Sequence, residues 1–197
     1  MLVGVLAGVA VVVVVVGLLV LGGLGRTADN SGGGSTAPAA TASSGPMIRG
    51  AGYAFGVPQQ WQQVTDRIRG SGAIPADIEL LAAVAPADPL AGEARKEAVV
   101  IVTRKPCPCG DLDSFPDYML QQAGTAAAVR PLGAPRHITL GGEDAIAFDY
   151  TQGVVHRRMS ASIHDGTVYV VTFEAKGSSF AGSEAGARHV LDTWQWR

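Results

Sequence analysis

The first 24 residues carry no charged side chain and none that exchanges hydrogen bonds with water, and six consecutive valines fill positions 11–16. A helix of that length rises about 36 Å, enough to cross a hydrocarbon layer of about 30 Å with some tilt. Valine is a modest helix former in water. In lipid the backbone has to satisfy its own hydrogen bonds, and the helix forms regardless. A cleavable signal sequence is the rival reading. Such sequences place an apolar stretch of about 7–15 residues behind a basic one and end at small residues. Here the apolar run is longer, no Lys or Arg precedes it, and Leu24-Gly25-Arg26-Thr27 follows. The expectation is an uncleaved, single-pass transmembrane helix over residues 1–24, with no Cys behind it to take a lipid.

Residues 31–46 are all Ser, Gly, Thr, Ala or Pro. Such a segment cannot bury enough apolar surface to offset the entropy of ordering it, so residues 25–46 are expected to form a disordered linker. Its root-mean-square reach is roughly 25 Å. Arg26 is the one basic residue beside the apolar run, and it favours a cytoplasmic C-terminus. A Ser/Thr/Pro/Ala/Gly stalk argues the opposite way, because such stalks hold domains off the outer side of a membrane. The stalk is given the greater weight, and residues 47–197 are expected to be one extracytoplasmic domain at the cell membrane.

That domain has a single-domain size. It carries 14 Lys and Arg against 16 Asp and Glu, so it lacks the basic excess of a nucleic-acid binder. Arg outnumbers Lys 12 to 3 in the whole chain and Asn occurs once, an actinobacterial type of composition that carries no mechanism.

Period-two alternation marks most of the domain. Tyr53, Phe55 and Val57 share one side of a first strand, Pro58 ends it, and Trp61 follows as a core anchor. Residues 70–75 read as loop; residues 78–84 are an apolar run open to helix or strand, with strand favoured because Pro75 and Pro86 bracket it too closely for a long helix, and residues 97–103 read as a buried strand. A helix begins near Ser114, which is placed to cap its free amides. Pro116 suits its first turn, and Asp113 and Asp117 suit the positive end of its dipole. Residues 137–140 lead through Gly141-Gly142 into residues 143–151, where Ile146, Phe148 and Tyr150 share a face. In residues 154–164, Met159, Ala161 and Ile163 alternate with Arg158, Ser160 and Ser162. Asp165-Gly166 is a hairpin turn into residues 168–174, where Tyr169, Val171 and Phe173 align. Such alternation implies antiparallel strands with one covered face. Phe180, Ala187, Val190, Leu191 and Trp194 suit a last helix packed on that face, with Trp196 beside it. The expected class is α+β: an antiparallel β-sheet flanked by helices.

The opening Tyr53-Ala54-Phe55-Gly56-Val57-Pro58-Gln59-Gln60-Trp61 resembles the start of a PsbP-like domain, where an aromatic strand meets Pro and then Trp. The ending resembles the same family: Val168-Tyr169-Val170-Val171-Thr172-Phe173-Glu174-Ala175, then Phe180 and a helix running into Leu191-Asp192-Thr193-Trp194. That family includes the oxygen-evolving-complex subunit of photosystem II and the DcrB and LpqN types of bacterial envelope lipoprotein. The resemblance spans about residues 50–195. It implies an αβα sandwich with an accessory or binding role and no enzyme activity, and it transfers no functional residue.

Cys107-Pro108-Cys109 is the sharpest local motif. A disulfide between residues two apart closes a small, strained ring, and strain makes such a bond labile. Arg104 and Lys105 beside it would lower a thiol pKa. A metal would need two more ligands, and His137, His156, His164 and His189 are not spaced to supply them. Disulfide, inert thiols, redox pair and metal thus stay open in that order for Cys107 and Cys109. Arg157-Arg158 beside His156 forms an anion spot only if both side chains reach one face, and alternation sends them apart. Asp111, Asp113 and Asp117 read as helix-start residues, without the ligand and Gly spacing of a calcium loop. No nucleophile elbow, zinc-protease, P-loop or dinucleotide motif occurs, so catalytic, cofactor and metal residues are all expected to be none. The reading is a membrane-anchored accessory or binding domain of the cell envelope with a protein or small-ligand partner. The alternatives are an envelope thiol-redox protein acting through Cys107 and Cys109, and a purely structural envelope component.

Overall fold

The computed structural model describes residues 45–72, 74, 78–87, 98–105, 111–123 and 129–197. The expected membrane helix, all of the linker but Gly45 and Pro46, and Cys107 and Cys109 lie outside the described residues. Among the described residues no helix is long and apolar enough to cross a membrane.

The elements run in the order β1 (Met47–Gly50), β2 (Tyr53–Gly56), β3 (Trp61–Gln63), α1 (Thr65–Gly70), β4 (Glu79–Pro86), β5 (Ala98–Lys105), α2 (Phe115–Ala123), β6 (Val129–Pro131), β7 (Arg136–Leu140), β8 (Glu143–Gln152), β9 (Val155–His164), β10 (Thr167–Lys176), α3 (Gly177–Asp192) and β11 (Gln195–Trp196). Among the described residues, eight strands form one antiparallel sheet in the order β3-β4-β5-β10-β9-β8, with β6 and β7 both paired to β8. A second, three-stranded sheet, β1-β2-β11, ties the chain's last residues to its first strand pair.

The long hairpins follow from local sequence. Asp165 and Gly166 both have positive φ, 47° and 71°, as a two-residue turn between right-twisted strands requires. Opposite pairs then run without interruption from Thr167↔His164 to Lys176↔Val155.

The expectation of one covered face is corrected, because both faces of the large sheet are buried. On one side Phe115 of α2 packs with Ile146, Phe148, Tyr150, Met159, Ala161, Val168 and Val170. Beside it α1 covers Ala83, Ala85 and Ile101 through Val64 and Ile68. On the opposite side α3 and the small sheet cover Tyr169, Val171, Phe173, Val100 and Val102. Tyr169, Val171 and Phe173 therefore face away from Ile146, Phe148 and Tyr150, and α3 packs on the former group alone. The result is an αβα sandwich, the layering that the family resemblance implied.

Tyr53, Phe55 and Trp194 stack within the α3 layer. The Phe55 and Trp194 planes lie 3° apart at 5.7 Å, and those of Tyr53 and Trp194 lie 15° apart at 5.3 Å. Trp61 packs against the same core, half-buried. It lies so close to α3 that a Cβ on Gly186 would sit 2.4 Å from its ring, which is why this position has no side chain.

Candidate functional site

The concavity that gathers ionisable groups lies between α3 and the β7–β8–β9 part of the sheet. Its origin is the size of the residues beneath it. Ala145 opposes Ser162 and Ala147 opposes Ser160 across β8 and β9, and all four face α3. The second pair, Ala147 and Ser160, lines a cleft of about 210 Å³ under the helix, with Ile138, Val171, Phe173, Ala187 and Leu191 as its apolar walls. Ser160 reaches it from the floor and is buried.

Arg158 of β9 connects the two walls. It forks onto Asp149 of β8, directly opposite, with Nε donating to Oδ1 at 2.8 Å and Nη2 to Oδ2 at 3.0 Å. Its Nη1 donates to Glu184 Oε1 of α3 at 2.6 Å. Paired planar forks of this kind are among the stronger charged hydrogen bonds. The Asp149 bonds raise the Arg158 pKa further above its ordinary value. The Arg158 bond holds the Glu184 carboxyl below the usual range. The Arg158 guanidinium also lies 5.3 Å from the Phe180 ring centre, a cation–π approach.

Two further guanidiniums stand at the rim. Arg136 of β7, 59% exposed, lies 3.7 Å from Asp149. Arg188 of α3, 68% exposed, lies 3.6 Å from Glu184. Both distances exceed hydrogen-bond length. Among the described residues, these three cations and two anions leave the site with one net positive charge.

α3 is pinned on either side of this gap. At its start Phe180 stacks on His156, centroids 3.4 Å apart, and leans on Phe173. At its end the Thr193 hydroxyl donates to the His189 carbonyl at 2.6 Å and accepts the Gly56 N–H at 2.9 Å. A second groove of about 430 Å³ runs between α3 and the β3–β4 end, lined by Gln59, Gln60, Trp61 and small residues, with no ionisable group among the described residues of its walls.

The residues singled out by sequence are dispersed. β5 ends at Lys105, two positions before Cys107, and the cysteine question lies outside the described residues. Arg157 and Arg158 do point to opposite faces. Arg157 is buried beneath the α2 layer, where its Nε donates to Glu174 at 2.9 Å and its Nη1 to Gln152. Burial pushes the Glu174 carboxyl up, and Arg157 opposes that shift. Ser114 stands at the start of α2, where its carbonyl accepts the Tyr118 N–H at 3.1 Å. The Asp111 carboxylate accepts the Ser114 N–H at 2.8 Å, and the Ser114 hydroxyl donates to the Asp111 carbonyl. Asp113 lies 3.3 Å from His137 at the surface. His156 and His164 share the α3 face but not a site, since His164 pairs with Glu143 at 2.8 Å and stacks on Trp196. Among the described residues no three His, Cys, Asp or Glu are placed to hold a metal ion. The cleft itself escaped the sequence reading. Its signal was present: Ala147 and Ser160, the opposed pair beneath the cleft on β8 and β9, are both small.

An antiparallel sheet with α1 and α2 on one face, and α3 with a small terminal sheet on the other, is a PsbP-like α+β fold. The solved structure that carries this statement is cyanobacterial PsbP (CyanoP) from Synechocystis sp. PCC 6803. It is similar at a TM-score of 0.52 and 14% identity, over 83% of this chain and 98% of that one. LpqN of Mycobacterium tuberculosis, involved in cell envelope biogenesis, is matched at a TM-score of 0.44 and 14% identity, over 79% of this chain and 87% of that one. A Pseudomonas aeruginosa protein of unknown function is matched at 0.43 and 15%, over 68% and 85%. No protein-family model and no curated protein matches the chain.

Proposed function

We propose that the chain is an accessory or binding domain of the bacterial cell envelope, anchored by residues 1–24, held outside the membrane on the 25–46 stalk, and binding through the α3–sheet cleft. The observation that carries the reading is the cleft itself: a preformed concavity, apolar in its walls and charged at its rim, of the kind that holds small ligands. Its chemistry favours binding over catalysis. Asp149 gives both its oxygens, and Glu184 its Oε1, to Arg158, and a carboxyl held low, as Glu184 is, makes a weak general base. The apolar run and the stalk supply the location.

The test uses the full chain in a high-GC actinobacterial cell, with photo-leucine in place of Leu191, the wall residue next to the rim one turn beyond Arg188. Externally added protease is expected to remove the domain from intact cells. Illumination is expected to give one discrete adduct, reduced when the cleft is filled by Ala147→Phe. A protected domain overturns the orientation, and no adduct at the rim overturns the binding role.

A further inference from the structure

We infer that the cleft takes a small organic monocarboxylate, its apolar body under α3 and its carboxylate at the rim between Arg136 and Arg188. This deepens the binding role proposed above and rests on it. Three observations select this ligand class.

The first is size. An apolar protein cavity of about 150 Å³ holds a benzene ring, and this cleft, at about 210 Å³, is larger. A single ring or a short aliphatic chain fits it.

The second is the state of the donors. Arg158 is committed through three hydrogen bonds to Asp149 and Glu184. It acts as a strut between sheet and helix and is not a ligand hook. Arg136 and Arg188 stand 3.7 and 3.6 Å from those same carboxylates, too far for hydrogen bonds. Both line the cleft, Arg136 from β7 and Arg188 from α3. Guanidinium forks match carboxylate geometry. Ion pairs as exposed as these contribute little, so a ligand carboxylate displaces no strong contact.

The third is charge. Arg136, Arg158 and Arg188 against Asp149 and Glu184 leave one positive charge, which one carboxylate neutralises. A phosphate dianion would overshoot that balance, and it has no apolar part to use the Phe173 and Leu191 walls. A neutral molecule of the same shape would leave the rim charge unanswered.

The probe is labelled benzoate, measured by equilibrium dialysis against the full chain in phosphatidylcholine nanodiscs at low salt. The expected result is one saturable equivalent per chain. Hexanoate competes, whereas benzyl alcohol and inorganic phosphate compete at least tenfold more weakly. The double variant R136M/R188M keeps the fold, since both side chains are exposed, and binds benzoate at least tenfold more weakly. E184Q removes one negative charge from the wall and binds benzoate several-fold more tightly. Equal binding of benzoate and benzyl alcohol, wild-type affinity in R136M/R188M, or weaker binding in E184Q overturns the inference. If benzoate fails while the rim crosslink described above still forms, the carboxylate assignment fails alone. If both fail, the cleft is not a binding site.

Discussion

Replacing Arg157 by Met should produce a loss of stability that depends on pH, with a ceiling set by the proton chemistry of Glu174. The two side chains are 4% and 8% exposed and joined at 2.9 Å. R157M leaves the Glu174 carboxylate in the core without its countercharge. A buried carboxylate in that position escapes by binding a proton. Its ordinary value is 4.5, so protonation at pH 7 costs at most about 3.4 kcal/mol, at about 1.36 kcal/mol per pH unit. At pH 5 the same escape costs at most about 0.7 kcal/mol. The sign follows from linkage. Removing Arg157 raises the folded-state carboxyl further, so the folded state holds a proton that the unfolded chain releases above pH 4.5. Burial already holds the wild-type carboxyl above 4.5, so the penalty relative to wild type grows as pH rises past that raised value and is smallest in acid.

A second loss does not vary with pH. Arg157 Nη1 also donates to Gln152 Oε1, and its guanidinium lies 5.9 Å from the Tyr150 ring centre. Orphaning a buried amide acceptor costs about 1–3 kcal/mol. Urea unfolding of the 45–197 fragment should then show R157M destabilised by about 1–3 kcal/mol at pH 5, with up to about 3 kcal/mol more at pH 7. The double variant R157M/E174Q has no titrating group at the site and should lose the extra slope. An R157M penalty equal at the two pH values, or a slope that persists in the double variant, refutes the reasoning.

Three further outcomes can be checked on the same fragment. Phe115 is fully buried and meets Phe148 edge-on, so Phe115→Ala should cost about 3–5 kcal/mol in urea unfolding. Thr193→Val removes the acceptor of the Gly56 N–H and should cost about 1–3 kcal/mol, with faster hydrogen exchange at Gly56. His156 has a buried Nε2 with no acceptor, and burial lowers its pKa below 6.5. The unfolded state therefore binds the proton first, and stability falls as pH drops below 6.5. Relative to wild type, His156→Phe should gain stability between pH 7 and pH 5 in chemical denaturation.

The hairpins from β8 to β10 could be read directly because each carries its own evidence: Gly141-Gly142, Gly153 and Asp165-Gly166 at the turns, and strict alternation between them. The elements missed were too short for periodicity to register. β1, β3, β6 and β11 span two to four residues, and α1 has six, with no side-chain cap. Such pieces are fixed by partners far away in sequence. β11 exists because Trp196 lies opposite Tyr53, 143 positions earlier in the numbering. The assumption of one covered face failed for a different reason. Opposite Ile146, Phe148 and Met159 the alternate positions hold Ala145, Ala147 and Ser160. Side chains this small carry little sign of a covered face, yet under α3 they belong to the floor of a second core.

That floor explains why a cleft exists where a filled core would be expected. α3 is clamped at its start by Phe180 on His156 and Phe173, and at its end by Thr193 on Gly56 and by the Trp194 stack. Between the clamps Arg158 braces Glu184 against the sheet. A helix held at both ends and propped in the middle cannot settle onto Ala147 and Ser160, so the space remains. The neighbouring arginines divide this labour through the period of the strand. Arg157 turns toward Glu174 and stiffens the core beneath α2, while Arg158 turns toward Glu184 and keeps the opposite layer apart. A one-residue slip in β9 would exchange the two, placing the buried pair in the cleft and the strut in the core. The register that fixes the fold therefore fixes the site as well.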